Sequence, residues 1–195
     1  MRQRTSLSAI LVDLLKTLGH ENIRGAEVGV LRGDTSSGLL QEFPELFLLM
    51  VDTWSEVPVD SEYAKSHDCA AKQHWAQHAA NEQIAFTRTE FASDRRVLLR
   101  GNSTVAVQAV ADGSLDFAFI DADHTYDAVR ADIGAWWPKI RVGGILAGHD
   151  YGGRKNRLGF WGVSRAVNEF TEREKLTLQR APRSIWWVTR QVSVA

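Results

Sequence analysis

The sequence predicts one α/β domain on a doubly wound, mainly parallel sheet. Three observations carry that expectation. Short apolar runs alternate with segments of helical periodicity along most of the chain. The runs "LFLLMVD" (46–52) and "SLDFAFID" (114–121) are dominated by apolar residues, as strands covered on both faces are. The length of 195 residues, 44% hydrophobic and 24% charged, suits a single core over 1–195 and would cramp two.

The elements follow in order. Residues 7–18 carry Leu7, Ile10, Leu11, Leu14, Leu15 and Leu18 at the 3-4 spacing of a helix face. "GAEVGV" (25–30) reads as the first strand, and Gly33 and Asp34 open a helix to about Glu42, with Asp34 or Thr35 as its cap. The second strand is 46–52. Residues 53–68 are polar and irregular, 69–92 helical, and the whole stretch of about 53–92 reads as a variable insert. "RVLLRG" (96–101) is the third strand, 103–111 a short helix, 114–121 the fourth strand and 125–137 a helix near Pro138. "GGILAGHDY" (143–151) is the fifth strand, followed by a basic loop over about 151–160 that is read as mobile, then a helix over 161–174. "KLTLQRA" (175–181) and "SIWWVTRQV" (184–192) form a terminal hairpin, hence an antiparallel pair.

Composition excludes several partners. The formal net charge is −1 and the pI about 6.6, so no global basic excess attracts nucleic acid or anionic lipid. No run of 18 apolar residues suggests a membrane span. Cys69 is the sole cysteine, which with an N-terminus unlike a signal peptide points to the cytoplasm.

The chemistry gathers where strands end. Glu27, Gly29 and Gly33 lie at the first strand–helix junction, the ligand side of a doubly wound sheet. Their spacing is E-x-G-x-x-x-G, not the G-x-G-x-x-G of a dinucleotide fingerprint. Asp52 ends the second strand and is placed to accept from two ribose hydroxyls, or merely to cap its loop; Trp54 stacks on an adenine or belongs to the core. Asn102 and Ser103 follow the third strand and either meet an adenine edge or cap a helix. Asp121, Asp123 and His124 end the fourth strand, and His149 and Asp150 the fifth. Asp123 most simply caps the following helix, while Tyr126 packs or turns its hydroxyl to the cleft. His74 and His78 lack a third ligand, and His20, His67, His74 and His78 are read as structural.

Together "AEVGVLRGDTS", "LLMVDTW", "VLLRGNST", "LDFAFIDADHTYDAV" and "GGILAGHDY" resemble the class I S-adenosylmethionine-dependent methyltransferases, in the small O-methyltransferase branch of catechol and macrocin types. The resemblance covers about residues 25–151. It implies a Rossmann-like seven-stranded sheet with only strand seven antiparallel, and S-adenosylmethionine as cofactor. Glu27, Gly29, Gly33 and Thr35 would surround its amino-acid part, Asp52 its ribose, Trp54, Asn102 and Ser103 its adenine, and Asp121 the sulfonium. Leu31 stands where the commoner pattern has a middle glycine, a departure this branch tolerates. Many members hold a divalent metal with an acid after strand four and an acidic pair after strand five. Here Asp121 and Asp150 would hold Mg²⁺ or another divalent cation, but "HDY" replaces the acidic pair, and His149 suits Zn, Mn or Fe better than Mg²⁺.

The expected activity is methylation of a small-molecule hydroxyl, with His124 or His149 as base. Two other classes stay open: a metal-dependent oxygenase or hydrolase using His124, His149 and a carboxylate, and a non-catalytic nucleoside-binding module. A nicotinamide dehydrogenase ranks last on the glycine spacing. Arg154, Lys155 and Arg157 either meet an acidic substrate group or stay solvated. A homodimer is common in the resembled branch, and Trp136, Trp137, Trp186 and Trp187 serve either an apolar interface or the core.

Overall fold

A computed structural model describes residues 6–66, 68–152 and 161–191. Seven strands form one sheet: β1 Arg24–Val28, β2 Phe47–Asp52, β3 Arg96–Arg100, β4 Leu115–Ile120, β5 Ile140–Gly148, β6 Gln179–Ala181 and β7 Ile185–Thr189. Their order is β3-β2-β1-β4-β5-β7-β6. The pairs β1–β2, β1–β4, β2–β3 and β4–β5 are parallel, whereas β7 pairs antiparallel with both β5 and β6. The expected sheet with a reversed strand seven is therefore the one observed.

The helices are α1 Leu7–Lys16, α2 Asp34–Glu42, α3 Glu62–Lys65, α4 Trp75–Arg88, α5 Ser103–Ala106, α6 Tyr126–Trp136 and α7 Val163–Arg173. Two apolar layers sandwich the sheet. Leu11, Leu15, Leu39 and Leu40 of α1 and α2 pack with Phe117 and Phe119 on one side. Val129, Ile133 and Trp136 of α6, with Val163 and Val167 of α7, pack with Ala118 and Ile120 on the other. Residues 117–120 of β4 thus alternate between the layers, as strand periodicity requires, and all six of its residues are buried.

Differences from expectation are local. β1 stops at Val28, so Gly29 and Val30 belong to the loop. α6 stops at Trp136 and a 3₁₀ turn containing Pro138 leads directly into β5, which begins three residues earlier than the apolar run suggests. The insert contains α3 and the single long helix α4 with short 3₁₀ turns, where sequence pattern left 53–68 irregular. β6 is only three residues. Trp136 and Trp186 are core, with 0% and 1% exposure, so neither can line an interface.

The register positions the site. Val51, Val28, Ile120 and Gly148 are successive partners across β2, β1, β4 and β5. The next residue on each strand is therefore Asp52, Gly29, Asp121 and His149, one row along the carboxyl edge. The strand order reverses direction between β1 and β4, the switch point where doubly wound sheets open a crevice.

Candidate cofactor cleft and metal centre

A cleft of about 610 Å³ opens above that row, within the range of small-molecule sites. Its walls include Glu27, Gly29, Thr35, Asp52, Trp54, Asn102, Ser103, Asp121 and His124, so the structure brings together most of the residues expected at a cofactor. Gly33 caps α2 just outside, in a left-handed conformation at φ 70°.

Gly29 is required by the fold as well as by any ligand. Its φ is 92°, and a Cβ there would lie 2.1 Å from the Asp121 carbonyl oxygen. The loops after β1 and β4 touch at this point. Asp52 acts as a clamp: Oδ2 accepts from the Val30 and Leu31 amides at 2.9 and 2.8 Å, and Oδ1 from the Trp54 amide at 2.8 Å. Oδ2 is thereby filled, and Oδ1 keeps a lone pair for a ligand hydroxyl.

Several side chains around the cleft also have local partners. Trp54 is 1% exposed, sits in the core layer below α2, and donates its indole N–H to the Leu31 carbonyl at 2.8 Å. It takes the core position while its edge also borders the cleft. The Asn102 side-chain oxygen caps α5, accepting from Thr104 N at 2.9 Å and Thr104 Oγ1 at 2.6 Å. Ser103 Oγ donates to Asp132, and both residues also line the cleft. Tyr126 turns away from the cleft and donates to Glu169 on α7. Asp123, as expected, organises the start of α6 by accepting from Thr125 N at 2.8 Å.

Sequence reasoning missed Asp132, Asp68 and Tyr63. Asp132 is a buried acid on the apolar face of α6, and that mismatch was the available signal. Burial pushes its carboxyl up to about 6, against the hydrogen bond from Ser103. Asp68 and Tyr63 come from the insert, where no periodicity marks them. Burial and the neighbouring Asp68 charge drive the Tyr63 hydroxyl well up.

The electrostatics are one-sided. Among the described residues, seven carboxyl groups line the cleft against one guanidinium, that of Arg32. Glu27 is 2% exposed and accepts from Ser36 Oγ; burial pushes it up to about 8, reinforced by the charges of Asp121 and Asp52. A cavity of this kind favours a cation.

Beside it, β4 and β5 converge on a knot of four side chains. His124 Nε2 lies 3.5 Å from Asp121 Oδ1 and 3.0 Å from Asp150 Oδ2, while Asp68 Oδ2 stands 2.8 Å from Nδ1. His149 Nδ1 lies 3.5 Å from Asp121 Oδ1 and 2.9 Å from Asp150 Oδ2. Burial works against charge on both imidazoles, but the carboxylates outweigh it, raising His124 to about 12 and His149 to about 10. The same contacts hold Asp121 and Asp150 below the ordinary carboxylate range despite burial. As the residues stand, neither histidine has a free lone pair for a substrate proton, so either acts as a base only once a ligand draws the carboxylates away. Asp121, His124 and Asp150 offer donor atoms within 4.8 Å of one another, a set that fits a divalent cation. Arg154, Lys155, Arg157 and most of the loop read as mobile lie outside the described residues, as does His67.

Known proteins agree with this architecture. O-methyltransferase NovP superposes with a TM-score of 0.63 at 17% identity, covering 94% of this chain and 81% of that one. Cofactor-bound Rv0187 from MTB gives 0.65 at 19%, covering 97% and 84%. CalS11, a calicheamicin methyltransferase, gives 0.62 at 17%, covering 95% and 80%. In sequence, 64 residues are 34% identical to the uncharacterized protein y4gI of Sinorhizobium fredii (strain NBRC 101917 / NGR234), a match spanning 33% of this chain and only 7% of that relative. A family profile described as a methyltransferase domain matches residues 26–151, from within β1 to the start of the loop after β5. That span holds the glycine loop, Asp52, Asp121 and Asp150, and by it the chain belongs to the methyltransferase-domain family, on the class I S-adenosylmethionine-dependent fold.

Proposed function

We propose that the protein transfers a methyl group from S-adenosylmethionine to a hydroxyl of a small molecule. The observation that carries this is the acidic cleft over the row Asp52, Gly29, Asp121 and His149, at the switch point of the sheet. A sulfonium and an ammonium against one carboxylate make the cofactor a net cation, suited to such walls. The O-methyltransferase neighbours support the choice of oxygen as acceptor.

In this reading Glu27 and the loop of Gly29 receive the amino-acid part and Asp52 the ribose. Asp121 faces the reacting end. When bound, S-adenosylmethionine would supply a methyl carbon open to in-line attack by the acceptor oxygen, with its own thioether as the leaving group. Positioning supplies much of the rate. Asp121 and Asp150 would hold a divalent cation, which when bound lowers the pKa of a coordinated hydroxyl. Where no cation binds, His124 or His149 would instead take the hydroxyl proton, once the substrate draws the carboxylates away. Among the described residues no helix is long and apolar enough to cross a membrane.

Calorimetry with S-adenosylhomocysteine tests the cofactor: binding in the micromolar range is expected, and none at high micromolar concentration sinks the reading. Asp52→Ala should weaken that binding at least ~10-fold, since hydrogen bonds to a charged group contribute about 1.5–3 kcal/mol.

A further inference from the structure

We propose that the knot at the ends of β4 and β5 selects a transition-metal dication of the manganese, iron, cobalt and zinc group over magnesium, with His124 and His149 as nitrogen donors beside Asp121 and Asp150. The proposal rests on the reading above that a metal assists methyl transfer, and adds which metal and which donors.

Both imidazoles address the same two oxygens. His124 Nε2 and His149 Nδ1 are each 3.5 Å from Asp121 Oδ1, and 3.0 and 2.9 Å from Asp150 Oδ2. Two donors at right angles about a metal at ~2.1 Å stand ~3.0 Å apart. The shorter contacts match that spacing.

The ring of His124 is fixed from outside the knot. It stacks on Trp161, centroids 4.6 Å apart at 30°, and Asp68 Oδ2 stands 2.8 Å from Nδ1. Nε2 is the nitrogen facing Asp121 and Asp150, while the Asp68 charge lies on the other side of the ring. Asp150 is held at φ 60°, a left-handed conformation unfavourable for a residue with a side chain.

Donor chemistry then decides the ion. Magnesium takes oxygen ligands and keeps waters, whereas imidazole nitrogen suits the later first-row dications. A set of two imidazoles and two carboxylates belongs to the second group.

The test is calorimetric titration of chelator-stripped protein, saturated with S-adenosylhomocysteine, using Mn²⁺, Co²⁺ and Mg²⁺ chlorides. Mn²⁺ and Co²⁺ should bind at least ~10-fold tighter than Mg²⁺. The visible spectrum of the Co²⁺ complex should differ from aqueous Co²⁺ and lose intensity in His124→Gln. His149→Glu, with an all-oxygen strand end, should bring Mg²⁺ affinity toward that of Mn²⁺ while S-adenosylhomocysteine still binds, which also certifies its fold. Mg²⁺ binding as tightly as Mn²⁺ in the unaltered protein overturns the metal choice and leaves metal-assisted transfer standing. Cofactor binding with no dication bound overturns both the choice and the metal's part. Dication selectivity with no cofactor binding upholds the site and removes the methyl-transfer reading instead.

Discussion

Glu27 shows how one buried acid ties stability to pH. Its carboxyl protonates near 8 in the folded chain against an ordinary 4.5. Between those values the folded state keeps a proton that the unfolded chain has released, so stability falls as pH rises, by at most about 1.4 kcal/mol per pH unit. Glu27→Gln keeps an acceptor for Ser36 and removes the titration. In urea melts its advantage over the unaltered protein should grow from near zero at pH 5 to about 2–4 kcal/mol at pH 8.5. A constant difference across that range would contradict the burial-driven shift. Glu27 was legible in the sequence because it interrupts a short apolar strand at the glycine loop. Asp68 was not, since its role depends on how the insert folds back onto His124.

At the level of elements, the contact between the β1 and β4 loops leaves no space for a methyl group. Gly29→Ala puts a Cβ 2.1 Å from the Asp121 carbonyl at a φ of 92°. The two strands must part or the loop must rebuild, a destabilisation of about 2–4 kcal/mol, read as a lower Tm and as weakened S-adenosylhomocysteine binding. The parallel strands were legible because β2 and β4 are dense apolar runs and each ends on an ionisable residue of the carboxyl row. Their shared register was not legible, since it depends on pairings between distant segments. Trp54 and Asn102 stayed ambiguous in the sequence because a core position and a helix cap use the same side chains that would meet a ligand.

For the whole molecule a net charge of −1 conceals a strongly acidic cleft. Screening shortens the reach of charge from about 10 Å at 0.1 M salt to about 3 Å at 1 M. S-adenosylmethionine carries the sulfonium charge and S-adenosylhomocysteine lacks it. Raising the salt from ~0.1 to ~1 M should therefore weaken the first ligand more than the second. Equal losses would mean that the carboxyl groups act only through hydrogen bonds. Total composition could not disclose this asymmetry, because topology alone collects the acids on one edge of the sheet.

Leu31 closes the account of the motif. It stands where a middle glycine is commoner, yet its φ is 52°, the left-handed conformation glycine adopts freely. The backbone keeps the glycine path and carries a leucine along it, 39% exposed at the cleft wall. Leu31→Gly should thus leave the Val30 and Leu31-position amides on Asp52 and change Tm little, since relief of about 1–2 kcal/mol of backbone cost offsets the added freedom of the unfolded chain. A pattern search keyed to letters would pass over this loop; one keyed to dihedral angles would retrieve it.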